Sequence, residues 1–417
     1  MTLTGPGVRC VIVNCIIVVA LVLAGCHAAK PAAANDAATE LPPVAVVDGG
    51  LGAATFTTGE LDAPSHGGTI TFENIGAPGW YPSRRDPKVG PCDQQKSSTC
   101  CTTKHEVTGT DLTPWDEDLI LTLRGPVRMK QFAVYQPDAS ATSWSLVSAW
   151  DGTVRDGLAF DANGTAVSSF PGSVGTECLV NLSTDRAFAC GAGSVPYCPA
   201  PSSGDAQYWG WSGSKLFVVL AQMPHATDVP GGCSTGTNGN WYDAPWIGLS
   251  HGELVRAGAF SSCQCYAKDP AKGYLADGCG QFNVFEVVND NNSSKNLDVF
   301  STNFIGYAGY VGQGPCGAAC EASKWMPPID LVDKKTDLEA NMGAVATPTG
   351  GPVAAFRRPE SGYRYFVVLL DVKTRTVQLA MIHPKAVPGA AAALLPALPP
   401  SIDRTTIDAL LALRLPH

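Results

Sequence analysis

Between Trp144 and Met381 short apolar runs alternate with clusters of Gly, Ser, Asn and Pro, and this alternation limits the folds open to the chain. Leu216-Phe217-Val218-Val219-Leu220 and Tyr365-Phe366-Val367-Val368-Leu369-Leu370 are two such runs. Five or six β-branched, aromatic and aliphatic residues bounded by turn formers read as a strand. Strands that follow one another without long helices stack as antiparallel sheets. Earlier in the chain Thr69-Ile70-Thr71-Phe72, Leu119-Ile120-Leu121-Thr122-Leu123 and Gln131-Phe132-Ala133-Val134-Tyr135 carry the same signal. With 44 Gly, 32 Pro and only 16% charged residues, the composition suits many short strands and turns. The expectation is a mostly β protein built as an antiparallel β-sandwich.

The two ends differ from this middle. Arg9 precedes an apolar run from Val11 to Ala24, and Leu23-Ala24-Gly25-Cys26 has the form of a bacterial lipoprotein box. The run is short for a membrane span, and small residues before Cys26 fit cleavage there. Residues 1–26 are therefore expected to be a lipoprotein signal peptide, with Cys26 as the lipid attachment point at a bacterial cell envelope. Residues 27–65, rich in Ala, Gly and Pro, read as a flexible tether. Residues 66–138 are expected to form a small N-terminal β module, and 139–384 the sandwich. Residues 385–417 form an Ala- and Pro-rich tail, with Ser401 able to cap a short helix through Leu415.

Of 15 Cys, twelve follow Cys26, and an even number in an exported chain reads as up to six disulfides. A metal site at Cys263-Gln264-Cys265 with Cys279 is the rival reading; with no CxxC pair in an oxidising compartment, no metal and no cofactor are expected. The formal charge of −9 and the lack of a long basic run exclude nucleic acid as a partner.

One stretch stands apart. In Gly280-Gln281-Phe282-Asn283-Val284-Phe285-Glu286 the polar residues Gln281 and Asn283 share one face of a strand. Glu286 has the opposite parity, and a one-residue bulge would return it to their side. Upstream lie Trp209, Trp211, Trp241, Tyr242 and Trp246, with Asp243 among them. Flat apolar sugar faces stack on such rings while polar neighbours bond the hydroxyls.

These segments, taken in order, resemble a known family. Gly68-Thr69-Ile70-Thr71-Phe72-Glu73-Asn74-Ile75-Gly76, Pro114-Trp115-Asp116-Glu117-Asp118 and Lys130 to Tyr135 are similar to the N-terminal module of fungal cell-wall proteins of the Target-of-SBF type. Tyr208 to Gly213, Ala244-Pro245-Trp246 and Cys279 to Val287 are similar to their C-terminal domain, which resembles family 16 glycoside hydrolases. The resemblance implies a concanavalin-like jelly roll acting on, or binding, β-glucan-like polysaccharide in a concave cleft. It also implies a catalytic strand of the pattern Glu-x-Asp-x-x-Glu. Here Gln281 stands at the nucleophile position, Asn283 at the orienting Asp, and only Glu286, the acid/base, keeps its carboxylate. A retaining glycosidase needs two carboxyl groups ~5–5.5 Å apart, and an amide cannot replace the nucleophile. The expected site is thus glycoside hydrolase-like with a lost nucleophile: Glu286, Gln281 and Asn283, with Trp246, Trp241, Tyr242, Asp243 and Trp209 contacting sugar. The alternative is a non-catalytic carbohydrate-binding lipoprotein using the same cleft.

Two lesser signals remain. Gly248-Leu249-Ser250-His251-Gly252 matches the G-x-S-x-G of a nucleophile elbow, which requires Ser250 on a strand-to-helix turn and a later His such as His383. Glu253, Asp290 and Asp298 are possible replacement carboxylates, each read as a solvated surface group.

Overall fold

The computed structural model describes residues 103–162, 165–188, 207–229, 231–233, 242–256, 280–289, 296–305, 358–387 and 395–411, and the strand segments 46–48, 53–57, 68–72, 79–83 and 329–330. All belong to one compact unit, Glu40–His417.

The fold is a mostly β, antiparallel β-sandwich. Among the described residues its front sheet has eight strands in the order Thr165–Val167, Ala159–Ala162, Leu179–Ser183, Leu119–Arg124, Trp246–His251, Gln281–Asn289, Asn296–Ile305 and Ile329–Asp330. Among the described residues its back sheet has eleven strands, with Val127–Pro137, Lys215–Gln222, Arg364–Asp371 and Thr376–Ile382 among the central members. Four of the five strand segments named from sequence coincide with central strands, because their residues are apolar on both faces. Leu119–Arg124, for example, is buried at all six positions.

Alternation decides what each strand gives to the space between the sheets. Leu121, Leu123, Ile247, Leu249, Phe282, Phe285 and Val287 from the front sheet meet Phe132, Val134, Phe217, Val219, Phe366 and Val368 from the back. The Phe285 and Phe366 rings meet edge to face with centroids 4.9 Å apart, a favoured aromatic geometry that spans the two sheets. Each large side chain so buried contributes ~1.5–3 kcal/mol by leaving water.

The outer face of the back sheet is also apolar: Tyr135, Trp144, Leu216, Val218, Tyr365, Val367 and Leu369 form a second core. The C-terminal segment covers it with Leu395, Leu398, Ile402, Ile407 and Leu410. The tail therefore docks. Its helix runs Arg404–Leu411, later than the reading from Ser401, because Ser401–Asp403 pairs as a strand with Ser143–Trp150. Asp403 is the cap, its Oδ1 accepting from Thr406 N at 2.6 Å.

The expected partition of the chain differs from the observed pairing. The segment 66–138 supplies Leu119–Arg124 to the front sheet and Gly68–Phe72 and Val127–Pro137 to the back, so it is woven into the sandwich. Within the expected tether, Val46–Asp48 and Ala53–Thr57 pair at the edge of the back sheet. A strand edge accepts any extended segment through backbone hydrogen bonds, whatever its side chains. Among the described residues one disulfide joins Cys178 to Cys233.

Candidate functional site

The polar face of the front sheet is built around the strand Gln281–Asn289. Against Trp246–His251 its pairs run Gln281↔Ser250, Asn283↔Gly248, Phe285↔Ile247 and Glu286↔Trp246, with the register shifting between Ile247 and Gly248. Against Asn296–Ile305 the shift again falls between Asn283 and Glu286. Val284 is thus the extra residue of a bulge on both sides. It lets Phe282, Val284 and Phe285 all enter the core while Glu286 joins Gln281 and Asn283 outside it.

These three side chains form a continuous chain of hydrogen bonds. Gln281 Nε2 donates to Asn283 Oδ1 at 2.6 Å, and Asn283 Nδ2 donates to Glu286 Oε2 at 2.9 Å. Arg124 completes it, Nη2 donating to Glu286 Oε1 at 3.1 Å. Both carboxylate oxygens of Glu286 therefore accept from protein donors. Such a carboxylate is suited to act as a base or to stabilise positive charge.

Arg124 reaches this position from two strands away. It ends Leu119–Arg124, which pairs with Trp246–His251, and Trp246 lies between Arg124 and Glu286 in one row across three strands. Arg124 Nε also donates to Ala244 O at 2.8 Å, and its guanidinium carbon lies 5.6 Å from the Trp246 ring centroid. Burial lowers the Arg124 pKa, opposed by the carboxylates of Glu286 and Glu177; guanidinium stays charged over any ordinary pH. The Trp246 indole lies over Gly248, where an added Cβ would sit 1.9 Å from its Cζ2. Only glycine leaves room there. Trp246 is 9% exposed, and its Nε1 is buried without a hydrogen-bond partner among the described residues. The next row continues the polar surface, with Thr122 Oγ1 donating to Asn181 Oδ1 at 2.7 Å.

The structure gathers Gln281, Asn283, Glu286 and Trp246 into one site. Asp243 is turned toward other protein groups. Its backbone has φ 55°, and its carboxylate accepts from Arg358 Nη2 at 2.6 Å and Ala226 N at 2.8 Å and meets His225 Nδ1 at 2.8 Å. It is a buried anchor for the loop leading to Trp246, with its oxygens turned to protein. Tyr242, half-buried, is its neighbour in that loop. Trp209 packs on Phe188 at 5.1 Å with Arg256 5.9 Å from its ring; Arg256 in turn holds Asp118 at 2.5 Å. Trp241 lies outside the described residues, as do Cys263, Cys265, Cys279 and Asp290; of Asp298 only its strand is described.

Ser250 of the elbow motif is buried inside a strand, not on the turn that such a nucleophile needs, and His383 caps the short turn that follows the strand Thr376–Ile382 of the other sheet. Glu253, read as a surface group, is fully buried in the helix Gly252–Arg256. Among the described residues no group of three or more His, Cys, Asp or Glu is placed to hold a metal ion. The functional residue missed by sequence reasoning is Arg124. The available signal was Thr122 and Arg124 at alternate positions of an otherwise apolar run, one side of the strand turning polar.

The chain matches the family described as cell wall protein YJL171C/Tos1, its N-terminal part over residues 68–137 and its C-terminal part over residues 147–315. It is 23% identical over 269 residues to the probable circularly permuted 1,3-beta-glucanase YJL171C of Saccharomyces cerevisiae, a match covering 56% of this chain and 64% of that one. It is 26% identical over 286 residues to the probable circularly permuted 1,3-beta-glucanase PGA52 of Candida albicans, covering 60% of this chain and 67% of that one. The chain thus spans about two thirds of the length of the curated relatives it matches. No solved structure matches it. The bacterial envelope expected from the first 26 residues is corrected by these matches, since both relatives are yeast proteins and the matched family is one of cell-wall proteins. The reading of Cys26 as a lipid attachment point depended on that setting, and Cys26 lies outside the described residues.

Proposed function

We propose that this chain, which belongs to the YJL171C/Tos1 family of cell-wall proteins, takes a β-1,3-glucan-like polysaccharide onto the polar face of its front sheet, as a glycosidase-like protein that has lost the nucleophile of retaining hydrolysis. The observation that carries this reading is the hydrogen-bonded row Gln281–Asn283–Glu286–Arg124 on a bulged strand. Amides and a paired carboxylate offer both donors and acceptors to sugar hydroxyls. The unpartnered Nε1 of Trp246 adds a buried donor within the same site, and such a group calls for a polar partner. Names given to the two relatives supply the polymer class.

Loss of the nucleophile follows from Gln281. It occupies the first position of the pattern, and its amide oxygen cannot form the covalent glycosyl intermediate that a retaining pair ~5–5.5 Å apart requires. The setting is the exported cell wall, where its relatives' family is placed by name.

The test is glucan binding by the full chain, measured by calorimetry with linear β-1,3-linked oligosaccharides beside β-1,4-linked controls. The native protein should bind the β-1,3 series, and Trp246→Ala should weaken that binding at least tenfold. Gln281→Glu should show retaining turnover that the native protein lacks. Equal indifference of both proteins to every glucan would sink the reading.

A further inference from the structure

The polar face does not stop at Arg124. In the strand Leu179–Ser183, Val180 and Leu182 enter the core, so Leu179 and Asn181 stand on the outer side of the front sheet. Leu179 lies directly opposite Arg124, and Asn181 opposite Thr122, in the antiparallel register. Two rows therefore cross the sheet. One runs Leu179, Arg124, Trp246, Glu286; the other runs Asn181, Thr122, Gly248, Asn283. Residues opposed in this way hold their Cβ atoms ~4.5–5.5 Å apart, so neighbours in a row share contacts. The Trp246 indole joins the rows: a Cβ at Gly248 would lie 2.6 Å from its Nε1, which sets that donor over the second row between Thr122 and Asn283.

Exposure changes along both rows. Glu286, Asn283, Trp246, Arg124 and Thr122 are each less than a tenth exposed, whereas Asn181 is half-buried and Leu179 is 37% exposed. Leu179 is one of two large hydrophobic side chains exposed among the described residues. A lone exposed leucine is ordinary on a surface; this one adjoins an amide with donors to spare. Thr122 Oγ1 donates to Asn181 Oδ1 at 2.7 Å, and Asn181 Nδ2 makes no hydrogen bond among the described residues. Apolar surface with a few convergent polar groups is the usual make-up of a ligand site. The corner is also held in place. Cys178, next to Leu179, is disulfide-bonded to Cys233, and its carbonyl accepts from Gly125 N at 3.0 Å. A preformed surface gives up little freedom on binding.

Building on the glucan-binding reading above, we propose that Leu179 and Asn181 form a second sugar subsite, so that the site takes a run of linked sugars lying across the strands and leaving past Leu179. The exposed leucine receives the apolar face of a ring, and the Asn181 amide donates to its hydroxyls. Thr122 and Arg124 lie between this subsite and the row at Glu286 and join the two. From Glu286 to Leu179 the row crosses three strand spacings of ~4.8 Å, or ~14 Å in all. That length exceeds a single pyranose ring, so only an oligosaccharide reaches both ends.

The experiment is calorimetry of the full chain with linear β-1,3-linked oligosaccharides from the disaccharide to the hexasaccharide. Native affinity should rise with length by at least tenfold. Leu179→Ser should lower hexasaccharide affinity by about three- to tenfold, part of what full burial of a leucine yields. Asn181→Ala should lower it by about two- to tenfold, the worth of a hydrogen bond. Disaccharide affinity should stay within twofold in both, since the short ligand is seated at Trp246. Leu179→Trp enlarges the apolar platform at an exposed position and should tighten the hexasaccharide alone, a gain that no folding defect produces. Native affinity that is flat in length, or hexasaccharide affinity that Leu179→Ser and Leu179→Trp leave unmoved, overturns the proposal while the binding reading stands. Equal losses for disaccharide and hexasaccharide assign these residues to the fold and overturn it too. No binding at any length overturns both.

Discussion

Arg124 and Glu286 meet at 3.1 Å although a whole strand separates theirs, and the residue between them in the row is Trp246. The ion pair is about a tenth exposed at each side chain. Breaking a buried pair from one side leaves an uncompensated charge and costs ~3–5 kcal/mol, while replacing both partners costs much less. Arg124→Met should therefore lower stability by about that amount. The double variant Arg124→Met with Glu286→Gln should recover most of it. Urea unfolding of the three variants closes the cycle, and additive losses would mean that the pair is not coupled.

Gly248 should not tolerate a methyl group. With a Cβ there 1.9 Å from the Trp246 ring, the indole must lift away from the sheet and from Arg124. Gly248→Ala should destabilise by ~1–3 kcal/mol, the usual range for overpacking. It should also shift tryptophan fluorescence and weaken glucan binding, which titration monitored by fluorescence would detect together.

Lys215 gives the fold a dependence on pH. Its amine is fully buried, donates to Trp115 O at 3.2 Å, and is pushed by burial from 10.5 down to about 7, against the pull of Asp116 and Glu117. Between about 7 and 10.5 the unfolded chain holds a proton that the folded chain has released. Stability must rise with pH across that window and be lowest below it, where the fold carries a buried ammonium. Urea midpoints measured from neutral to alkaline pH should climb. Lys215→Met should be more stable near neutrality and flatten the climb.

Asp243 should prove structural. Arg358, whose side chain is fully buried, donates to it at 2.6 Å. Asp243→Asn keeps the shape and suits the left-handed φ of 55°, but leaves the guanidinium without its charge partner. A loss of ~3–5 kcal/mol is expected, with glucan affinity of the folded fraction nearly unchanged. A variant of native stability that fails to bind would assign Asp243 to the ligand instead.

Much of the sandwich was legible because its strands declare themselves locally. Leu216 to Leu220 and Tyr365 to Leu370 are apolar on both faces and bounded by turn formers. The bulge was legible too, since Glu286 has the wrong parity to join Gln281 and Asn283 without one. Arg124 was not, because its partner lies 162 residues on and a cation at the end of an apolar run reads as an exposed strand end. Docking of the tail and pairing of Ala53–Thr57 were hidden for a related reason. Ala, Gly, Pro and Leu in those segments carry no periodicity, and their order comes from surfaces made elsewhere in the chain. Asp243 looked like a sugar ligand by its neighbours in sequence, yet Arg358, 115 residues away, decides its role.

The bulge at Val284 changes what a shortened gene would encode. This strand carries one residue more than either neighbour between Asn283 and Glu286. An in-frame loss of the Val284 codon would leave Gln281, Asn283 and Glu286 alternating regularly with Phe282 and Phe285. Trp246 would still oppose Glu286, and Asn303 would still oppose Asn283. A deletion inside a strand ordinarily turns every later side chain to the wrong face. Here it would iron out a kink and keep the order of the site, so lineages can gain or lose this codon while the face persists.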